Sequence, residues 1–390
     1  MTWRLLAVPL AVVLAGCASS SPVASSTPRP SAASAPGVTS SPAGGGTPSP
    51  VPSAEPLVKL SISCRLPVVT YTTGGDGISY QGGFITFPAG TYADDPKGQI
   101  NAVYSVGNFV TKQKPVLSGV LDYSSVPFYD ASTRRWVPAP ASNAASDGSS
   151  YAYALAGKSS ADPGEIFVTN AADGTYREFN VAIPAVGAPN GIQVMDYDGA
   201  GVYFVVTQFE QYPIGVWRLD VRTGKVAAMA QTGAVMAVRN GYAWGGEVDP
   251  HDPNPPKVPA SRTLFDEIGR VNLSTGAQSG WYYTPGRSEF LLGMSSAGWP
   301  IVNVGDAPDY PAYGGEVRLL PDPHTDGESN GELVSSGVAI SNPLTDGDRT
   351  WFGSDSGIYL YTSASGLQKV FAFPPDQTTG KTMSPAGFCR

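Results

Sequence analysis

Two histidines, 32 carboxylates and three cysteines are the chemically versatile groups of this 390-residue chain. His251 lies in Asp249-Pro250-His251-Asp252-Pro253-Asn254-Pro255-Pro256, an irregular Pro/Asp-rich insertion between strand-like segments. Long inserts in compact repeats often carry binding groups, so Asp249, His251 and Asp252 form a candidate ligand-binding loop. The same run also reads as a rigid surface loop. His324, in Pro321-Asp322-Pro323-His324, reads as an exposed turn. A serine hydrolase needs a Ser, a His and an orienting carboxylate. No Gly-x-Ser-x-Gly elbow occurs, and neither His has a clear acidic orienter, so that chemistry is not expected. The two histidines also lack zinc-ligand spacing.

Carboxylates leave more open. A glycosidase needs only two of them, converging on one pocket. Glu165, Glu210, Glu247, Asp249, Glu289 and Glu316 fall at or near expected strand ends, where such a pair could form or where solvated turns would also place them. Asp196-Tyr197-Asp198-Gly199 and Asp346-Gly347-Asp348 offer closely spaced oxygens. Calcium is therefore the metal the sequence allows, although no full loop with a distal bidentate Glu follows. Turn formation explains both runs more simply, and no cofactor is expected. Trp136, Trp217, Trp244, Trp281, Trp299 and Trp351 recur along the chain, a placement that favours packing between repeats over sugar stacking.

The elements that must position these groups are short strands. Gly (46) and Pro (36) are abundant, hydrophobic residues make up 42%, and no long amphipathic helix is apparent. One unit recurs: an apolar strand, an Asp or Asn, a tight turn, then another strand. It appears as Phe128-Tyr129-Asp130 to Arg134, Phe167-Val168-Thr169-Asn170 to Gly174, Trp217-Arg218-Leu219-Asp220 to Gly224, Arg270-Val271-Asn272 to Gly276 and, more loosely, Tyr359 to Gly366. The Asx side chain bonds the backbone ahead of it, and Gly supplies positive φ. Turns spaced about 40–50 residues apart match one four-stranded propeller blade per interval. With Asp147-Gly148, Asp198-Gly199 and Asp346-Gly347 heading further strands, residues 57–390 resemble the bacterial WD-repeat-like and YVTN-type β-propellers. The expected fold is all-β, a single β-propeller of seven blades, with six and eight as the neighbouring counts.

Before that domain, Arg4 precedes the apolar run Leu5–Leu14, too short to span a bilayer and suited to a signal-peptide core. Leu14-Ala15-Gly16-Cys17 resembles a bacterial lipobox, which implies cleavage before Cys17 and lipidation of its thiol. The expected organisation is a signal peptide (1–16), a lipidated Cys with a disordered Ser/Pro/Ala linker (17–56) and the propeller (57–390). Residues 18–56 carry no aromatic and cannot offset their ordering entropy by burial. An exported domain leaves Cys64 and Cys389, at the two extremes of the folded region, as an expected disulfide that locks the ring's seam. Net charge is −8 with no basic cluster, which argues against nucleic acid. The reading is a monomeric, membrane-anchored extracytoplasmic protein, more a binder than an enzyme, with an envelope protein or glycan as ligand. A polysaccharide hydrolase or lyase using carboxylates near the channel is the alternative.

Overall fold

The computed structural model describes residues 56–74, 77–103, 126–155, 164–181, 191–207, 215–230, 234–247, 265–306, 315–324, 331–373 and 382–390. Cys17 and the expected leader and linker lie outside the described residues. The strands are β1 (Cys64–Gly74), β2 (Gly77–Phe87), β3 (Thr91–Val103), then the hairpin β4 (Phe128–Asp130) and β5 (Arg135–Val137). Next come β6 (Ser150–Leu155), β7 (Gly164–Asn170) and β8 (Tyr176–Val181), followed by β9 (Gly191–Tyr197), β10 (Gly201–Thr207), β11 (Val216–Asp220) and β12 (Val226–Ala230). A further sheet holds β13 (Val235–Arg239), β14 (Tyr242–Glu247), β15 (Glu267–Asn272) and β16 (Gln278–Tyr283). Its neighbour holds β17 (Arg287–Met294), β18 (Pro300–Asp306), β19 (Glu316–Leu319) and β20 (Glu332–Ser336). The chain closes with β21 (Ser341–Asp346), β22 (Arg349–Gly353), β23 (Gly357–Thr362), β24 (Gly366–Ala372) and β25 (Thr382–Pro385).

All pairings within these sheets are antiparallel, and sequential strands neighbour one another. First strands touch in succession, β9 with β13, β13 with β17, β17 with β21 and β21 with β25, so they line a common axis. The domain is an all-β propeller. Six sheets have blade size: blade 1 (β25-β1-β2-β3), blade 2 (β6-β7-β8, with Ala144 bridged to Tyr151), and blades 3 to 6 (β9–β12, β13–β16, β17–β20, β21–β24). The turn spacing predicts seven blades with six and eight as neighbouring counts, and the structure has the lower of these among the described residues. The difference lies at Asp130, whose turn has the same form as the others but joins only the two-stranded β4–β5 among the described residues. Turn spacing counts hairpins, and not every hairpin is a described blade.

The recurrent turns work as their residue types require. In the β11–β12 turn the Asp220 carboxylate accepts from the Thr223 amide (2.7 Å) and hydroxyl (2.8 Å), and Gly224 takes φ 72°. Asn272 does the same with its carboxamide oxygen, accepting from the Ser274 amide at 2.9 Å and its hydroxyl at 2.7 Å. Between blades, the core is apolar: Ile268, Leu291, Val302 and Val304 with Trp244 and Trp281 fill the seam between blades 4 and 5. Trp351, fully buried, stacks on Phe87 at 5.8 Å between blades 6 and 1.

The ends of the chain close the ring. β25 pairs with β1 from Val68↔Pro385 to Tyr71↔Thr382, so blade 1 takes its first strand from the C-terminus. Beyond that strand, the Arg65 amide donates to the Arg390 carbonyl at 2.8 Å and the Ala386 amide to the Pro67 carbonyl at 2.9 Å. Cys64 and Cys389 are disulfide-bonded with Cα atoms 5.4 Å apart, as their positions had suggested.

Candidate functional site

Antiparallel alternation puts the connections between first and second, and third and fourth, strands at one end of the propeller. The other connections fall at the opposite end. At the first end the turns are short: Asn240-Gly241, Gly347-Asp348, Asp198–Ala200 and the Asx turns, with 320–331 the exception. The second end is mixed: 75–76, 231–234, 284–286, 337–340 and 354–356 are short, whereas six connections run to eight residues or more, at 156–163, 182–190, 208–215, 248–266, 307–315 and 373–381. The Asp249, His251 and Asp252 loop belongs to the longest of these six, and those three residues lie outside the described residues.

The residues on which that connection returns form the most unusual polar site of the described chain. Asp266 lies in a bend one residue before β15; along the strand itself alternation sets Ile268 and Arg270 on one side, and Ile268 packs in the seam toward blade 5. Alternation along β17 likewise sets Glu289 on the side of Leu291, which faces the same seam. The two acids thus come from neighbouring blades at the end with the longer connections, close enough for Asp266 to act on Glu289 electrostatically. Asp266 is 0% and Glu289 1% exposed. The Glu289 amide donates to the Phe265 carbonyl at 2.7 Å, tying the two strand heads directly. No hydrogen bond of good geometry closes on either carboxylate oxygen of Glu289 or on the buried Thr284 hydroxyl, although the Thr284 amide and hydroxyl lie near enough to favour the charged form of Glu289.

Burial pushes the pKa of Glu289 well above the usual carboxylate range; Thr284 opposes the shift, and Asp266 and Glu267 add to it. The nearest basic side chain on its own strand is engaged elsewhere. Arg287 reaches Asp306 (3.4 Å) and Glu316 (3.6 Å). Glu316 also accepts from Arg318 at 2.6 Å. Burial alone would raise Glu316, but Arg318 and Arg287 outweigh it and its pKa is lowered. One rim therefore holds an ionised carboxylate in a cationic network, and the seam beneath it holds an acid biased toward its neutral form.

Of the other expected positions, Glu165 starts its register opposite Leu155 and Asn180, far along the chain from this seam. Glu247, the last residue of β14, is the register partner of Glu267. Glu210 lies outside the described residues. His324 is not a free turn: its amide donates to the Trp281 carbonyl at 2.6 Å and its carbonyl accepts from Tyr283 at 3.0 Å, adding a parallel bridge to β16. Asp198 is a turn cap, accepting from the Ala200 and Gly201 amides at 2.8 and 2.6 Å. Asp346 faces Arg390 at 3.4 Å. Among the described residues no group of three or more His, Cys, Asp or Glu side chains is arranged to hold a metal. Asp196 is different: burial raises its pKa to about 6, with Arg239 opposing and Asp198 adding to the shift. Trp217, Trp244, Trp281 and Trp351 are core residues, whereas Trp299 is exposed on the β17–β18 turn. Asp266 and Thr284 were not singled out from the sequence. Neither lies in a strand, Asp266 being in the bend before β15 and Thr284 in the β16–β17 connection, so strand alternation in the sequence gives no signal for them.

No protein-family model matches the chain, and no curated protein matches it. Among solved structures, TolB from Acinetobacter baumannii is similar at 11% identity over 83% of this chain, with a TM-score of 0.37. Dipeptidyl peptidase 4 of Porphyromonas gingivalis is similar at 11% identity over 79% of this chain, TM-score 0.38. An oligogalacturonate lyase in complex with manganese is similar at 13% identity over 64% of this chain, TM-score 0.37. The chain spans 65%, 45% and 73% of these structures respectively. Likeness at this level gives neither family nor activity, and the propeller rests on the sheets described above.

Proposed function

We propose that this chain is an exported, lipid-anchored binding protein of the cell envelope, whose WD-repeat-like propeller engages an envelope protein or glycan through the end that carries the longer connections. The observation that carries the binding role is the set of six connections of eight residues or more at the second end, against the tight Asx and Gly turns that make up most of the first. The anchor rests on Leu14-Ala15-Gly16-Cys17 and the short apolar run before it. Removing Asp266 and Glu289 from solvent favours binding over catalysis, because neither acid presents an oxygen to a polymer at the surface. Two acyl chains or more bury enough CH₂ groups, at about 0.8 kcal/mol each, for stable attachment.

The test compares the full chain in detergent with two variants on a panel of purified envelope glycans and on detergent-extracted envelope proteins. One variant replaces residues 249–263 by Gly/Ser of equal length. The other places Lys at Asn272 and Arg222, on the short-turn end. Binding lost in the first and kept in the second is expected; the reverse pattern contradicts the assignment of the face. Cys17→Ser is expected to release the protein from membranes, and continued pelleting with membranes contradicts the anchor.

A further inference from the structure

We propose that Glu289 and Asp266 form a proton-held latch that fastens the head of β15 to the head of β17 and loosens when the pair gives up its proton. Two features of the geometry carry this. The acids come from adjacent blades into a seam closed to solvent, Asp266 at 0% and Glu289 at 1% exposure. Both oxygens of Glu289 and the hydroxyl of Thr284 are also buried with no hydrogen bond of good geometry, Thr284 being the one donor close to the carboxyl, an arrangement that a native interior seldom leaves unexplained. A carboxylate in that setting costs far more to desolvate than a carboxylic acid. One proton across the pair removes the like-charge repulsion.

The groups packed around Glu289 agree. From the bend before β15 comes Asp266 and from the first position of β15 comes Glu267, both acidic, and from the β16–β17 connection comes Thr284. On β18 its register partner is Val304, and two residues along the same face Arg287, opposite Asp306, closes its own ion pair. Arg287 and Arg318 both converge on Glu316. Arg270, on the Ile268 side of β15, lies over the rings of Tyr242 (4.4 Å) and Trp281 (4.2 Å). Thus the charged groups that act on Glu289 are acids, and the neighbouring arginines are committed elsewhere. With the folded-state pKa raised, the folded state holds the proton more tightly than the unfolded state. The latch is therefore complete below the usual carboxylate range and is lost as pH rises through the raised value. The proton leaves to bulk water, and no covalent bond to carbon changes.

Hydrogen exchange of the Glu289 amide, which donates to Phe265 across the latch, reads its opening in the full chain in detergent. Over the pH range where one proton is linked, opening grows about tenfold per pH unit. After correction for intrinsic exchange, wild type is expected to open at least about tenfold more at pH 8 than at pH 5, and Glu289→Gln, neutral at every pH, to be flat. Asp266→Asn removes the second acid and is expected to shrink the rise, which keeps the test decisive if Glu289→Gln does not fold. A flat wild-type profile, or an unchanged rise in the variant that folds, overturns the latch. So does restoration of wild-type protection at pH 8 by 1 mM calcium, which would make the pair a cation site.

Discussion

Breaking the Cys64–Cys389 bond is the perturbation whose size the structure fixes best. The bond links residues 325 apart in sequence. In the chain-entropy treatment a loop of that length removes about 19 cal/mol/K from the unfolded ensemble, or about 6 kcal/mol at 25 °C. The native seam does not depend on the bond alone: β25 is paired with β1 over four register partners, and Arg65 and Ala386 add backbone hydrogen bonds across the closure. The loss should therefore appear as a lower melting point with native β structure retained at 25 °C. Roughly 330 folded residues at about 2.1 cal/mol/K each give an unfolding entropy of about 0.7 kcal/mol/K, so Tm should fall by about 8–9 °C. Calorimetry and far-ultraviolet circular dichroism of Cys389→Ser, and of wild type with and without reductant, measure this. An unchanged Tm would refute the claim that the bond closes the ring. Loss of β structure at 25 °C would refute the claim that the strand pairing holds the seam by itself.

Two further outcomes follow from burial. Trp351→Ala removes a fully buried ring stacked on Phe87 and is expected to cost about 3–5 kcal/mol by denaturant titration. Asp196, with its pKa raised to about 6 by burial, keeps its proton in the folded state to a higher pH than in the unfolded chain. Its contribution is complete below about pH 4 and is lost as pH rises toward 6, by at most about 3 kcal/mol. Thermal midpoints of Asp196→Asn across that range should show a shallower decline than wild type, and parallel curves would contradict the assignment.

Much of the architecture was legible because it is local. Asp220 to Gly224 and Asn272 to Gly276 announce their turns in five residues, since the capping oxygen and the positive-φ glycine sit in one short stretch. The closure was legible for another reason: Cys64 and Cys389 occupy the extremes of the strand-rich region, where a ring must join. Blade completeness was not, because the Asp130 turn looks like its counterparts whether or not two more strands stand inside it. The acid pair was also hidden. Glu289 alone reads as a solvated strand end, and only the packing of β15 against β17 shows that Ile268 and Leu291 share a seam into which both acids are drawn. His324 likewise reads as a turn until its backbone is seen bridging to β16.

Photo-crosslinking in intact cells tests the binding face most directly. A photoreactive residue is placed in turn at positions 251 and 312, in the longer connections, and at positions 222 and 274, in the Asx turns of the opposite end. Discrete crosslinked partners from 251 and 312, with none from 222 and 274, are expected. Partners captured from the Asx-turn end alone would contradict the proposed binding face.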